Sequence, residues 1–252
     1  MKITVSRRES AEVEKLHPLY RQRANCQIIH DAFWARGWVD AYRMEVEDRF
    51  AGYGGVATKH DPGNLMEFYV LPEFERYAMD LGRELLAVSG ATHIEAQTNI
   101  PSMRRLQEAF TDDVVTGSLL FAEDRTTHLA APDGAVFRRR REEGELARKD
   151  GKEPGDQWVI ELEQHVVASG GVLTHYNRPY GDIYMEVDES FRRRGIGSYL
   201  VQELKRVAYE AGNLPAARCN AANAISRKTL ERAGFAVCGE MRLGKVRERK
   251  TV

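Results

Sequence analysis

The chain has 252 residues, 37 of them basic and 38 acidic, for a net charge of −1. That length allows one large domain or two small ones, each with its own core, and the balance of charge gives no global field that would draw the protein to nucleic acid or to an anionic membrane. Three scattered cysteines, Cys26, Cys219 and Cys238, lack metal-ligand spacing and fit a reducing compartment. The start, residues 1–8, is polar and no apolar run approaches the ~18 residues of a membrane span, so the expected location is the cytoplasm.

In chain order, residues 9–38 have room for two helices. Residues 42–47, 50–58 and 65–71 alternate as strands, 74–88 carry helical spacing, 93–98 read as a strand and 100–110 as a helix, with a further strand at 118–125. Pro132, Asp133 and Gly134 signal a turn. From there to Trp158 a short hairpin and one helix fit, and the Arg-, Glu- and Lys-rich residues 138–156 read as a surface loop. Strands follow at 158–163, 166–173 and 182–187. A helix at 196–211, a strand at 217–221, a helix at 224–233 and a strand at 235–242 complete the series. Gly212 and Gly234 sit where glycine C-caps belong.

The order of elements repeats. Asn99, Ser102, Leu106 and Ala109 recur 124 positions later as Asn223, Ser226, Leu230 and Ala233, and Val70 and Phe74 recur as Val187 and Phe191 at an offset of 117. The reading is therefore a duplicated chain cut at 128/129.

The most informative stretch is the strand Ile183, Tyr184, Met185, Glu186, Val187 followed by Arg192, Arg193, Arg194, Gly195, Ile196 and Gly197. Alternation gives way to helical spacing at the two glycines, so backbone N–H groups at a helix start are left for an anion, a phosphate or pyrophosphate. At the matching positions of the first half stand Glu75, Ala78 and Asp80, whose carboxylates would repel that anion.

With this turn, Val187-Asp188, Phe191-Arg192, Asn223, Ser226, Leu230-Glu231 and Gly234-Phe235 in order, residues 155–245 resemble the GNAT superfamily of acyl-CoA-dependent N-acyltransferases. The resemblance implies an α/β fold of two tandem GNAT-like domains. Each is a mixed, mostly antiparallel twisted sheet with a splayed pair of parallel strands, flanked by helices. Residues 1–128 would be a degenerate copy without the phosphate loop and 129–252 the acyl-CoA-binding copy. It implies acetyl-CoA as cosubstrate, held by Met185, Val187, Arg192, Arg193, Arg194, Gly195, Ile196, Gly197, Ser198, Asn223 and Ser226.

For chemistry, acyl transfer to an amine needs a base for the ammonium proton and benefits from a donor to the leaving thiolate. Glu186 is the base candidate, Tyr184 can act through water, and Ser226 can supply a hydroxyl. The family's frequent acid, a tyrosine after the asparagine, is replaced by Leu230. Asn223 has a second role open to it as an N-cap. His175, Tyr176 and Tyr180 form a polar, aromatic loop suited to an acceptor. No histidine or carboxylate spacing suggests a metal, and none is expected. The partners expected are a small-molecule or peptide amine, with no nucleic acid and no membrane, and the protein itself a monomer or homodimer. Two alternatives stand beside the enzyme: a non-catalytic acyl-CoA-binding or regulatory module, and an aminoacyl-transferring relative using charged tRNA, which would not need a pyrophosphate cradle.

Overall fold

The computed structural model describes residues 2–141 and 157–247. By compactness the chain forms two units, Met1–Ser118 with Gly239–Val252, and Leu119–Cys238. This division differs from a single cut at 128/129 because two long strands, Thr111–Glu123 and Phe235–Val246, each contribute residues to both units.

Unit 1 begins with β1 (Ile3–Arg8) and three short helices, α1 (Ser10–Val13), α2 (His17–Arg21) and α3 (Asp31–Ala35). Then come β2 (Val39–Val46), β3 (Arg49–Ala57), β4 (Asn64–Val70), a 3-10 turn at Pro72–Tyr77, α4 (Ala78–Ser89), β5 (His93–Gln97), α5 (Pro101–Phe110) and the first part of β6 (Thr111–Glu123). β1 to β4 are antiparallel neighbours, β5 lies parallel to β4, and the end of the last strand, Phe235–Val246, pairs antiparallel with β5. The β4–β5 register covers only Asn64↔His93 and Leu65↔Ile94 among the described residues, so the parallel strands part early.

Unit 2 repeats the plan. It holds the rest of β6, then β7 (Val136–Arg139), β8 (Trp158–Leu162), β9 (His165–Leu173) and β10 (Tyr180–Val187). A 3-10 turn at Glu189–Phe191, α6 (Ile196–Glu210), β11 (Leu214–Asn220), α7 (Ala224–Arg232) and the start of β12 (Phe235–Val246) follow. β7 to β10 are antiparallel neighbours and β11 is parallel to β10 from Tyr180↔Leu214 to Ile183↔Ala217. Each unit is thus a mixed sheet with a splayed parallel pair and flanking helices, the α/β architecture expected.

The helices bury one stripe each, at the spacing that sets side chains on one face. Leu81 and Leu85 of α4 pack in one core with Phe68, Ile94 and Leu106; Ile196, Leu200 and Leu204 of α6 pack in the other with Ile160, Val167, Ile183 and Leu230. Full burial of each such side chain contributes roughly 1.5–3 kcal/mol. Several elements depart from expectation. β1 and β7 are additional strands, three short helices occupy 9–38, and the helix read from Phe74 starts as a 3-10 turn. β6 begins at Thr111, with Val114 and Val115 exposed. Of the segment read as a loop, Arg138 and Arg139 lie in β7, with Arg138 paired to Glu161, and residues 142–156 lie outside the described residues.

Unit 1 also buries polar groups. The Tyr53 hydroxyl donates to Glu67 Oε2 at 2.6 Å, both side chains fully enclosed beside His17, Tyr20 and Trp34. Burial pushes the Glu67 carboxyl up to about 7, opposed by the Tyr53 hydrogen bond. Burial, aided by the Arg21 charge, lowers His17 to about 4.

Candidate functional site

The end of β10 and the turn after it are built by local hydrogen bonds. Asp188 caps the 3-10 turn by accepting from Ser190 N at 2.9 Å. Arg193 and Gly195 then take left-handed conformations, φ 64° and 81°. For glycine this is free of Cβ strain; for an arginine it costs on the order of 1–3 kcal/mol, a cost characteristic of functional turns. The turn delivers the chain into α6 with Gly195 at the N-cap, and no side chain caps the helix. The N–H groups of the first turn are therefore open to an anion.

The second glycine has a different task. A Cβ on Gly197 would lie 3.2 Å from Thr229 Cγ2, 3.4 Å from Val187 Cγ2 and 3.5 Å from Met185 Cε. Gly197 thus lets α6 press against β10 and α7, while Gly195 supplies the backbone angle.

These elements enclose a cleft of about 900 Å³. Its walls include Met185, Glu186 and Val187 of β10, the run Arg192, Arg193, Arg194, Gly195, Ile196, Gly197 and Ser198, and Asn223 and Ser226 at the start of α7. The structure therefore brings together every residue read as acyl-CoA-facing, and Glu186 with them. Tyr184, His175, Tyr176 and Tyr180 are not in this lining. Tyr176 instead meets Arg218, which bonds its hydroxyl, and its ring lies tilted against that of His175 at 4.2 Å between ring centres; Arg218 also pairs with the buried Asp182 at 3.3 Å.

Residues that sequence reasoning missed come mainly from α7. Ile225, Lys228, Thr229 and Arg232 line the cleft at one helical face, spacing i, i+3, i+4, i+7. Arg232 Nη2 lies 3.8 Å from where a Gly195 Cβ would be. That periodic face was the available signal, and it includes an exposed Ile225 that no core explains.

The charge of the cleft favours an anion. Its two carboxylates, Glu186 and Glu189, are both bound to Arg192, at 3.0 and 3.3 Å. Arg193, Lys228 and Arg232 make no ion pair among the described residues and add to the field of the helix start.

The supporting polar groups are mostly structural. Asn223 Oδ1 accepts from Ser226 N at 3.0 Å, so asparagine does cap α7. Ser198 Oγ donates to Thr229 O at 3.2 Å, tying α6 to α7. The Ser226 hydroxyl also bonds the Cys219 thiol, whose pKa burial nevertheless raises. Glu186 is not enclosed by the apolar wall: its side chain is 38% exposed and engaged by Arg192. Leu230 is in the core and brings no donor to the cleft. Among the described residues no group of three His, Cys, Asp or Glu side chains is placed to hold a metal, and no helix is long and apolar enough to cross a membrane.

At the corresponding place in unit 1, α4 starts from the 3-10 turn, with Tyr77 at its N-cap and Asp80 in its first turn. Glu75 is taken up by Arg105 and by Arg23, the latter at 3.8 Å, and Asp80 by Arg83 at 2.7 Å. Ala78 is buried.

Comparison with known proteins agrees with this geometry. The model of the acetyltransferase (GNAT) family matches residues 124–235. Among solved structures the chain is similar to an acetyltransferase from the GNAT family of Colwellia psychrerythraea, at 16% identity and a TM-score of 0.77 over 98% of this chain and 100% of that one. It is also similar to a tandem GNAT protein from the clavulanic acid biosynthesis pathway, at 11% identity and a TM-score of 0.66 over 99% and 100%. A GCN5-related N-acetyltransferase from Sphaerobacter thermophilus aligns at 17% identity and a TM-score of 0.63 over 98% and 96%. At such identities the likeness is one of fold. Comparison with curated protein sequences returns no match. The chain carries a GNAT acetyltransferase domain over residues 124–235, in a fold that GNAT proteins share along its length.

Proposed function

We propose that the protein is an N-acetyltransferase whose unit 2 cleft binds acetyl-CoA, and that it acetylates a primary amine by direct attack within a ternary complex. The observation that carries this reading is the uncapped start of α6, with Gly195 at φ 81°, opening into a cleft whose cations Arg193, Arg194, Lys228 and Arg232 have no ion partner among the described residues. Those groups suit a pyrophosphate: the amides and helix dipole receive it and the side chains of Arg193, Lys228 and Arg232 neutralise it. Met185 and Val187 would flank the pantetheine arm.

Bound acetyl-CoA supplies an activated acyl carbon with a thiolate leaving group. Glu186 accepts the proton of the acceptor ammonium, directly or through water, as the C–N bond forms and the C–S bond breaks. With Leu230 in the core, the leaving thiolate takes its proton from solvent or from Ser226. The loop of His175, Tyr176 and Tyr180 is our candidate for acceptor contact, and the acceptor class is a small-molecule or peptide amine. In this reading residues 1–128 are the degenerate copy and 129–252 the binding copy, the protein is cytoplasmic, and it works as a monomer or homodimer without a metal.

Titration calorimetry with acetyl-CoA tests the site. Gly195→Asp suits the test because aspartate tolerates a left-handed conformation better than most side chains, yet it puts a carboxylate where the pyrophosphate would sit. We expect an affinity loss of at least ~100-fold, about 2.8 kcal/mol, with an unchanged circular dichroism spectrum. Retained affinity removes the proposed site. The buried Leu230 also favours a second reading, a non-catalytic acyl-CoA-binding module. Thiol release from acetyl-CoA across a panel of amines separates the two: tight binding without release from any amine selects the module.

A further inference from the structure

Arg192 occupies two roles at once. It lines the cleft in the turn that leads to the open amides of α6, yet its guanidinium is already engaged. Nη2 donates to Glu186 Oε1 at 3.0 Å, Nη1 to Glu189 Oε1 at 3.3 Å and Nε to Val187 O at 3.2 Å. The neighbouring cleft cations Arg193, Lys228 and Arg232 have no such engagement among the described residues. Glu186, in turn, is among the described residues the one carboxylate that β10 brings to the cleft wall. The residue best placed to take a proton from an acceptor is therefore held by a residue placed beside the anion site.

Magnitudes decide which partner wins when a ligand arrives. The Arg192–Glu186 pair is 42% and 38% exposed on its two sides, and pairs of that kind are weak and screened. A pyrophosphate offers the planar guanidinium charge-assisted, bidentate contacts, and does so next to a helix start that already favours it. We propose that the acyl-CoA pyrophosphate and Glu186 compete for Arg192, so that binding of acyl-CoA releases the Glu186 carboxylate to meet the incoming ammonium. The proposal rests on the acyl-CoA reading above.

Two consequences follow from the linkage. The amine is disfavoured until the acyl donor is bound, because its counter-ion is occupied, which sets the order of the two substrates. Because coupling is reciprocal, whatever loosens Glu186 from Arg192 must also tighten acyl-CoA. Arg192 acts as a positioning residue in this scheme, moving between two anions while Glu186 does the proton chemistry.

The reciprocal effect can be measured with acetyl-CoA alone, before any acceptor is known. Calorimetric titrations compare the wild type, Glu186→Gln, Arg192→Ala and the double variant. Glu186→Gln is expected to bind acetyl-CoA about two- to fivefold more tightly than wild type, the size of a weak exposed pair, and Arg192→Ala to bind it more weakly. In the Arg192→Ala background, Glu186→Gln should change nothing. A tightening of equal size in both backgrounds means that the carboxylate only repels the anionic ligand at a distance, and overturns the sharing. No tightening in either background overturns it as well. A wild type that does not bind acetyl-CoA instead removes the acyl-CoA reading itself, so the two failures are distinguishable. Both side-chain positions varied, 186 and 192, are at the surface, and circular dichroism verifies that the variants fold.

Discussion

The starts of α4 in unit 1 and α6 in unit 2 are the same place in two copies of one plan, built with opposite charge. Where α6 has Arg192, Gly195 and Gly197, the first unit has Glu75, Ala78 and Asp80. The second turn leaves its amides uncapped and its nearby Arg193, Lys228 and Arg232 without ion partners among the described residues, whereas the first binds its own carboxylates to Arg23, Arg105 and Arg83. A helix start is an anion site by default, so what distinguishes the units is whether the chain fills that site itself. Unit 1 is satisfied internally and unit 2 is left with a net demand for an anion.

The largest effect that separates the units is expected at Lys205. Its ammonium, 5% exposed on α6, lies 2.6 Å from Glu123 Oε1 and donates to Arg125 O and Ala233 O, each at 2.9 Å. It thereby ties α6 to the end of α7, the two helices that frame the cleft. The corresponding residue of unit 1 is the exposed Val88. Lys205→Met would leave the Glu123 carboxylate without its cation, at a cost of about 3–5 kcal/mol. Urea unfolding should register that loss, whereas Val88→Met should change stability by less than about 0.5 kcal/mol.

A somewhat smaller effect belongs to the buried polar cluster of unit 1 and has a defined dependence on pH. Glu67, raised to about 7 from an ordinary 4.5, keeps its proton in the folded protein over a range where the unfolded chain has lost it. Its contribution is fully present below about 4.5 and is lost as the pH rises through 7. His17, lowered to about 4 from 6.5, has the opposite slope: its contribution is present above 6.5 and is lost as the pH falls through 4. Between 4.5 and 6.5 the two oppose each other. Glu67→Gln removes one of them, so the variant should gain on the wild type by up to about 3 kcal/mol between pH 4.5 and 8, read from urea unfolding at several pH values. A difference between the two proteins that does not vary with pH would refute this account.

Much of this comparison was legible in the sequence because the critical residues are contiguous. Arg192 to Gly197 and the strand before it announce a turn at a helix start, and alternation or helical spacing places most of the elements to within a few residues. What was not legible depends on pairs that only folding brings together. Glu186 and Arg192 meet across the end of β10, the α7 face of Lys228 and Arg232 faces a turn thirty or more residues earlier, and β1 and β7 are short strands whose polar patterns give little period to read. Gly197 shows the same limit: its sequence context suggested access for a ligand, but the atoms around it indicate close packing of a helix.

The smallest expected effect is the most direct test of the contrast between the two turns. Reversing the charge at Glu75 with Glu75→Arg breaks its contacts with Arg23 and Arg105, but these are exposed or half-exposed pairs and contribute little, about 0–1 kcal/mol each. The substitution also restores neither of the two glycines, since Ala78 and Asp80 remain at the start of α4. An arginine alone adds charge without opening amides, and Asp80 still offsets the field at that helix start. Acetyl-CoA titration of Glu75→Arg should therefore give one site per chain, with affinity within about twofold of wild type, a free-energy change under about 0.5 kcal/mol. A second site appearing on this single change would mean that charge, and not the backbone of the turn, is what unit 1 lacks. An unchanged stoichiometry assigns the difference to the conformation that Gly195 permits and to the amides that it leaves open.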